Sequence, residues 1–227
     1  MLEAARRAES ITKPTWILAH HQTNARGRQG KPWVNPPGNL SATLVFKPHC
    51  PPQEAARRSF LAANALFAAL SLYVEPSKLS LKWPNDVLLN NGKVAGILLE
   101  SAGAGAMVNW LSVGIGVNLA HVPQDVTDAA FAPVSLKAAG GDTVTPEDFL
   151  TTLAAAYATQ EDRLRSLGFA QIREDWLKNA ARLGAQITAR TGRDTHTGTF
   201  ETIDADGNLV LITAKGPKAI PAADVYF

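Results

Sequence analysis

From Gln22 to Lys31 the chain reads Gln-Thr-Asn-Ala-Arg-Gly-Arg-Gln-Gly-Lys, so Arg26, Arg28 and Lys31 share six residues with Gly27 and Gly30. Neither a helix nor a central strand suits such a stretch. Glycine opens backbone conformations closed to other residues, and the cations supply charge that an anion can gather around it. A loop that closes over a phosphorylated ligand has this composition, and so does a solvated basic turn. Further along, Lys82-Trp83-Pro84-Asn85-Asp86 sets a cation, an amide and a carboxylate close together. Lys93 then stands at the start of an apolar run, directly after Asn90-Asn91-Gly92, and Gly114-Ile115-Gly116-Val117-Asn118 ends another such run. Two glycines at one end of a strand point to something packing closely on the backbone there. Each feature has a plain competitor: Lys82 as an exposed strand cation, Asp86 as a turn cap, Trp33 and Trp83 as ordinary core aromatics.

Other chemistries are excluded. Gly114 and Gly116 lack the third glycine of a dinucleotide fingerprint and precede no helix, and no Walker-type spacing occurs. The single cysteine, Cys50, forbids an intrachain disulfide and argues against a thiolate zinc site. Adjacent His20 and His21 point to opposite faces of any strand, and His49, His121 and His196 have no ligand spacing. With 22 basic and 20 acidic side chains the net charge is +2, too balanced for a protein that coats nucleic acid, so any basic site must be local. No apolar run approaches the ~20 residues of a membrane span and the first residues are charged, so a cytoplasmic location is the default expectation.

Around these residues, 227 positions with 46% hydrophobic content allow one good-sized core, or one core plus a small satellite. Spacing predicts a first helix within 1–10, with Leu2, Ala5 and Ala8 on its inner side, and strands over 15–19 and 39–46. Residues 53–72 carry the broadest helical apolar face, with Phe60, Leu61, Leu66 and Leu72 among its members. Two short strands flank Pro84, and Asn90-Asn91-Gly92 is a hairpin turn signal leading to strands over 93–100 and 107–118. Residues 119–134 read as loop. Thr145-Pro146-Glu147-Asp148 starts a helix that runs to about Leu167, with a second over 169–179 after Gly168. The tail has short strands over 186–189, 197–203, 208–212 and 224–227, the spacing of a small β-barrel, with the boundary between Arg182 and Gly184.

Taken together, the basic Gly-loop, the Lys82 to Asp86 segment, Lys93-Val94-Ala95-Gly96 and Gly114 to Asn118 match in order and spacing the motifs of the biotin protein ligases. The chain resembles that family, in its monofunctional form without a DNA-binding region, over almost its whole length. The resemblance implies an α+β fold: a mixed β-sheet packed by helices, of the class II synthetase-like type, over residues 1–181, then a small SH3-like β-barrel over 182–227. It implies that biotin and ATP, with Mg²⁺, give biotinyl-5′-AMP and pyrophosphate, and that a lysine of the biotin carboxyl carrier protein then takes the biotinyl group and releases AMP. Lys93, Arg28, Lys82 and Asp86 take the catalytic positions, Asp86 also as a candidate to help the incoming lysine lose its proton. Gln22, Arg26, Gly27, Arg28, Lys93, Gly96 and Gly114 fall on the biotin side. Arg28, Lys31, Trp33, Asn85, Asp86, Gly116 and Asn118 fall on the ATP side, with Asn85 or Asp86 facing Mg²⁺.

Lipoate attachment, on the same architecture, is the alternative within enzymes; a catalytically silent module that binds the carrier or a nucleotide is the alternative outside them. Neither membrane nor DNA is expected as a partner. A homodimer is compatible with exposed apolar strand residues, though no interface is assigned. Ala25 stands where the family often has glycine and Lys31 where it often has arginine, trading a bidentate fork for a point charge. The family's Ser-Thr pair upstream of its first helix has no counterpart after Met1. The expectation is therefore either a start that has been set too late or a weaker hold on biotin, at roughly 0.5 to 1.5 kcal/mol per lost hydrogen bond.

Overall fold

The computed structural model of the chain describes residues 1–30, 33–103, 106–123 and 131–227. Six strands form the main sheet: β1 (Thr15–Leu18), β2 (Leu40–Phe46), β3 (Leu79–Lys82), β4 (Asp86–Leu89), β5 (Gly92–Ala102) and β6 (Trp110–Val117). Their order is β1-β2-β6-β5-β4-β3. Every ladder is antiparallel, and the parallel component of this mixed sheet is two single bridges, Leu81 to Ala180 and Lys93 to Pro133.

Side chains alternate across the sheet, so each strand gives one set of residues to each face. Leu40, Ala42, Leu44, Ile97, Val113, Ile115 and Val117 belong to the core shared with the helices. That core is closed by α2 (Pro52–Ala56), α3 (Arg58–Leu70) and α4 (Pro146–Lys178). Helix α3 buries Phe60, Leu61, Leu66 and Leu70, and Phe60 meets Phe169 and Trp176 of α4 edge to face at 5.5 Å each. The single helix expected over 53–72 is two, joined at Arg57, and it stops at Leu70, leaving Leu72 in solvent. Thr145 caps α4 by accepting from the Asp148 amide at 3.1 Å, and Gly168, at φ 77°, breaks α4 between 167 and 169 as expected.

The opposite face of the sheet is covered at one corner by α1 (Leu2–Arg7). Its buried stripe is Ala4 and Ala8 against Val45, the i, i+4 spacing of one helix face, whereas Leu2 is exposed, contrary to expectation.

The tail strands β7 (Gln186–Arg190), β8 (Thr195–Ile203), β9 (Leu209–Thr213), β10 (Gly216–Ile220) and β11 (Asp224–Tyr226) form a five-stranded antiparallel sheet in the order β10-β9-β8-β7-β11. The pairings define the small antiparallel β-domain expected of the tail, with β10 and β11 at the ends of its sheet and no ladder among the described residues closing it into a barrel. Strand β10 was hidden in the sequence by Lys215-Gly216-Pro217, which reads as a turn. Pro217 is tolerated because β10 is an edge, where a missing N–H costs no ladder bond. In the turn between β8 and β9 the Asp204 carboxylate accepts from the amides of Asp206 and Asn208 at 2.9 Å each, and the Gly207 carbonyl accepts from Trp83 Nε1 at 3.1 Å. The tail sheet is thereby tied to the segment that carries Lys82 and Asp86.

Leu66 of α3, fully buried in the core, tests this packing. Leu66→Ala should lower unfolding free energy by about 2–5 kcal/mol in urea titrations.

Candidate functional site

Cross-strand register brings one row of residues into line across five strands. Lys82 pairs with Asp86, Asp86 with Gly96, Gly96 with Gly116, and Gly116 with Ser41. A neighbouring row runs Leu98, Gly114, Thr43. Residues in one row share a face, and this is the face turned away from the helical core. Three of its central positions are glycine, so the middle of the sheet presents bare backbone, with Asp86 and Lys82 at one end of the row and Ser41 at the other. Gln22 reaches the Ser41 end, where its Oε1 accepts from Ser41 Oγ at 3.1 Å.

Lys93 joins this face through an irregularity. In a regular strand Lys93 and Gly96, three residues apart, point to opposite sides. The β4–β5 ladder shifts register between Val87 and Leu88: Val87 pairs with Ala95 but Leu88 with Lys93. Val94 is the extra residue, and Val94 and Ala95 are consecutively buried in the core. The bulge turns Lys93 over onto the glycine face, which is what such insertions do beside functional sites. Its backbone is then held on both sides. The Lys93 amide donates to Ala132 O at 2.9 Å, and its carbonyl accepts from the Val134 amide at 3.0 Å and from Asn118 Nδ2 at 3.4 Å.

The result is one carboxylate between two ammonium groups. Lys82 Nζ donates to Asp86 Oδ2 at 3.1 Å, and Lys93 Nζ lies 2.6 Å from Oδ1. At that distance the Lys93 ammonium is what satisfies Oδ1. Lys82 and Asp86 are buried, whereas the Lys93 side chain keeps 30% of its exposure. Burial alone would raise the Asp86 carboxyl. The charges of Lys93 and Lys82 and their hydrogen bonds together outweigh it and hold Asp86 below the ordinary carboxylate range. Asp86 is therefore ionised throughout the neutral range and fixes both cations.

Trp33 covers the glycines. A Cβ added at Gly116 would lie 2.6 Å from the indole, and one at Gly96 3.3 Å from it, so only glycine lets the ring lie this low. The Lys93 ammonium stands 5.6 Å from the ring centroid. At Gly114 a Cβ would meet Met1 Sδ at 2.5 Å. A cleft of about 460 Å³ beside Ala8, Lys47 and Trp110, and one of about 220 Å³ beside His20, Asn39 and Glu147, lie away from the Lys82, Asp86 and Lys93 cluster.

The basic loop folds over this arrangement. Gln29 (φ 56°) and Gly30 (φ 73°) take the left-handed backbone that a tight loop needs. Arg28 Nη1 donates to Asn85 Oδ1 at 3.4 Å, and Asn85 is bound to β5 through Ile97 O at 2.5 Å. Arg26 points elsewhere, pairing with Glu100 of β5 at 2.7 Å. Gly27 lies between them in the loop, and Lys31 falls outside the described residues. Asn118 is buried, and its amide donates to the carbonyls of Lys93 and Val134. Thus Lys82, Asp86, Lys93, Gly96, Gly114, Gly116, Trp33, Asn85 and Arg28 converge, while Gln22 and Arg26 sit at the margins. Sequence reasoning missed Ser41, Thr43 and the bulge at Val94. The odd spacing between Lys93 and Gly96, assigned to one site, was the available sign of a bulge.

Residues 1–118 match the model of the biotin/lipoate A/B protein ligase family, and residues 183–227 that of the biotin protein ligase C terminal domain. The chain is 49% identical over 228 residues to a biotin–[acetyl-CoA-carboxylase] ligase of Paracoccus denitrificans, covering 99% of this chain and 95% of that one. It is 30% identical over 213 residues to the bifunctional ligase/repressor BirA of Bacillus subtilis, covering 93% of this chain and 65% of that one. A solved biotin protein ligase from Aquifex aeolicus, in complex with biotin and ATP, is similar with a TM-score of 0.80 over 98% of this chain and 93% of that one. At 21% identity this likeness speaks for the fold.

The depressed Asp86 carboxyl has a signed consequence. Its folded value lies below the unfolded one, so its stabilisation is complete above the unfolded value of about 3.9 and is lost as pH falls through the folded value. Asp86→Asn, which leaves two ammonium groups facing each other, should cost about 3–5 kcal/mol at neutral pH. Its stability should also fall less steeply below pH ~4 than the parent's, as followed by urea unfolding across pH.

Proposed function

The chain belongs to the biotin/lipoate A/B protein ligase family, and from that premise we propose how its residues divide the work of a biotin–[acetyl-CoA-carboxylase] ligase. In the first step a carboxylate oxygen of biotin bonds to the α-phosphorus of ATP. The bond from that phosphorus to the bridging oxygen breaks, and pyrophosphate leaves biotinyl-5′-AMP behind. In the second, a lysine amine of the carboxyl carrier protein bonds to the acyl carbon and loses a proton, and AMP departs. The match of residues 183–227 to the biotin ligase C-terminal domain favours biotin over lipoate as the acid.

The observation that supports this reading most is a lysine ammonium, aimed by a buried carboxylate, at the border of a side-chain-free sheet face. A carboxylate attacking a phosphate brings two anions together, so the site needs cations that act most strongly as charge spreads in the in-line transition state. Lys93, partly exposed beside Gly96, takes the acid's carboxylate and the α-phosphate. The faces of Gly96, Gly114 and Gly116 take the acid's rings, with Gln22 at the Ser41 end. Arg28 and Lys31 meet the phosphates, and Asn85 steers Arg28 toward them. Arg26 and Gly27 hold the loop down through Glu100. Trp33 leaves the glycines when the acid arrives and closes with its loop on the nucleotide. Asn118 supports the backbone of Lys93.

Asp86 is better placed to aim two lysines than to accept the acceptor lysine's proton, because a carboxylate held below its ordinary range is a weak base. Mg²⁺ belongs with the nucleotide. Among the described residues no group of three His, Cys, Asp or Glu could hold an ion, and both oxygens of Asp86 face lysines. Bound with the nucleotide, the ion would supply charge neutralisation on the ATP phosphates. No helix among the described residues is long and apolar enough to cross a membrane. We place the reaction in the cytoplasm, where ATP and the carrier protein meet.

Lys93→Ala should lower biotin-dependent pyrophosphate release by about 10²–10³-fold with circular dichroism unchanged. Full activity in that variant, or equal turnover with lipoate, would overturn the assignment.

A further inference from the structure

Lys82 is the cation of the cluster that stays away from solvent, and what covers it comes from distant parts of the chain. Its side chain is only 7% exposed. On one side it meets Asp86; on the other the Phe131 ring lies 4.9 Å from Nζ. Phe131 in turn packs on Phe227, at 4.7 Å between centroids, and the Arg182 guanidinium lies 5.0 Å from the Phe227 ring. Phe227 follows β11 of the tail sheet. The same sheet grips the neighbourhood elsewhere, through its β8–β9 turn, where Gly207 O accepts from Trp83 Nε1; the segment after α4 adds backbone hydrogen bonds between Leu81 and residues 179 and 181 at 2.7 and 2.8 Å.

Strand β3 is an edge of the main sheet, and edges are where water reaches side chains and backbone. A lysine there, unless covered, extends into solvent, because its ammonium is strongly hydrated on a flexible stem. Here an aromatic face and a carboxylate hold it from two sides. The chain of consequence runs inward. Phe227 backs Phe131, Phe131 keeps Lys82 on Asp86 Oδ2, and that bond fixes the plane of the carboxylate whose Oδ1 holds Lys93.

We propose that Phe131 and Phe227 are positioning residues for adenylate formation: the tail sheet completes the main site by clasping Lys82 from outside. This rests on the role given to Lys93 above. It explains why the Lys82 to Asp86 segment is bound to the tail through both Trp83 and Phe131. Arg182, stacked over the Phe227 ring, belongs to the same clasp.

The test uses the full chain and biotin-dependent pyrophosphate release at saturating biotin and ATP, measured at low and high salt beside each variant's thermal midpoint. Phe227→Ala should lower kcat about five- to tenfold while changing the KM for biotin less than about twofold. Its rate should also fall further between about 50 and about 500 mM salt, because a pair opened to water is screened and a buried one is not. Phe227→Tyr, which keeps the ring, should restore both rate and salt profile, and adding Phe227→Ala to Phe131→Ala should cost little more than Phe131→Ala alone. Phe131→Leu keeps apolar bulk without a ring face, guards against a variant that misfolds, and should show the same loss of kcat. A parental rate and salt profile in Phe227→Ala, or a parental rate in Phe131→Leu, overturns the proposal, as does failure of Phe227→Tyr to recover. If Lys93→Ala is inactive while Phe227→Ala is normal, only the clasp is refuted. If Lys93→Ala is itself fully active, the reading beneath it falls.

Discussion

A single buried carboxylate shared by two lysines decides how the rest of this protein is arranged. Asp86 can be ionised away from water only because Lys82 and Lys93 are there, and Lys82 can be buried only because Asp86 is. Removing Asp86 leaves two facing ammonium groups uncompensated, one of them in a poorly solvated place. The three come from strands β3, β4 and β5, so satisfying them fixes the neighbours and register of one side of the sheet. Two cations against one anion also leave a net positive charge at the more exposed end, Lys93. That is where an incoming acid and phosphate would meet it.

The remainder of the sheet provides a surface on which that charge can be used. Its helical side is filled with Leu, Val, Ile and Phe and carries the stability, while its other side is stripped to glycine along the middle of two rows. Backbone stripped of side chains gives up packing energy for closeness, and the helices α3 and α4 on the reverse side make up that loss. The bulge at Val94 joins the two tasks. It feeds two successive side chains into the core and turns Lys93 to the glycine side, so one irregular residue serves both stability and chemistry.

Much of this was legible in residue order, and the exceptions have physical causes. Helix α4, its cap at Thr145 and its break at Gly168 follow from local chemistry, as does the hairpin at Asn90 and Asn91, both with positive φ. The site residues were legible as kinds, since few functions need Lys, Asp and bare glycine at these separations. Their pairings were not. That Asp86 serves both lysines depends on a one-residue register shift, and that Arg26 turns to Glu100 while Arg28 turns to Asn85 depends on the course of a loop whose length alone does not fix it. Leu2 was misplaced because helical spacing allowed two faces and tertiary packing against Val45 chose the one with Ala4 and Ala8. Strand β10 was missed because Pro217 marks a turn unless the strand is known to be an edge.

The position of Trp33 changes what occupancy means thermodynamically. Its indole already shelters the strip formed by Gly96 and Gly116, and its buried Nε1 has no hydrogen-bond partner among the described residues. A molecule that comes to lie on that strip exchanges with the indole instead of filling a wet hollow. Net apolar area withdrawn from water is then the difference between guest and tryptophan, and the heat-capacity decrement of association is correspondingly smaller than the guest's own surface would give. Part of the affinity is set by where the released indole finds its next contact.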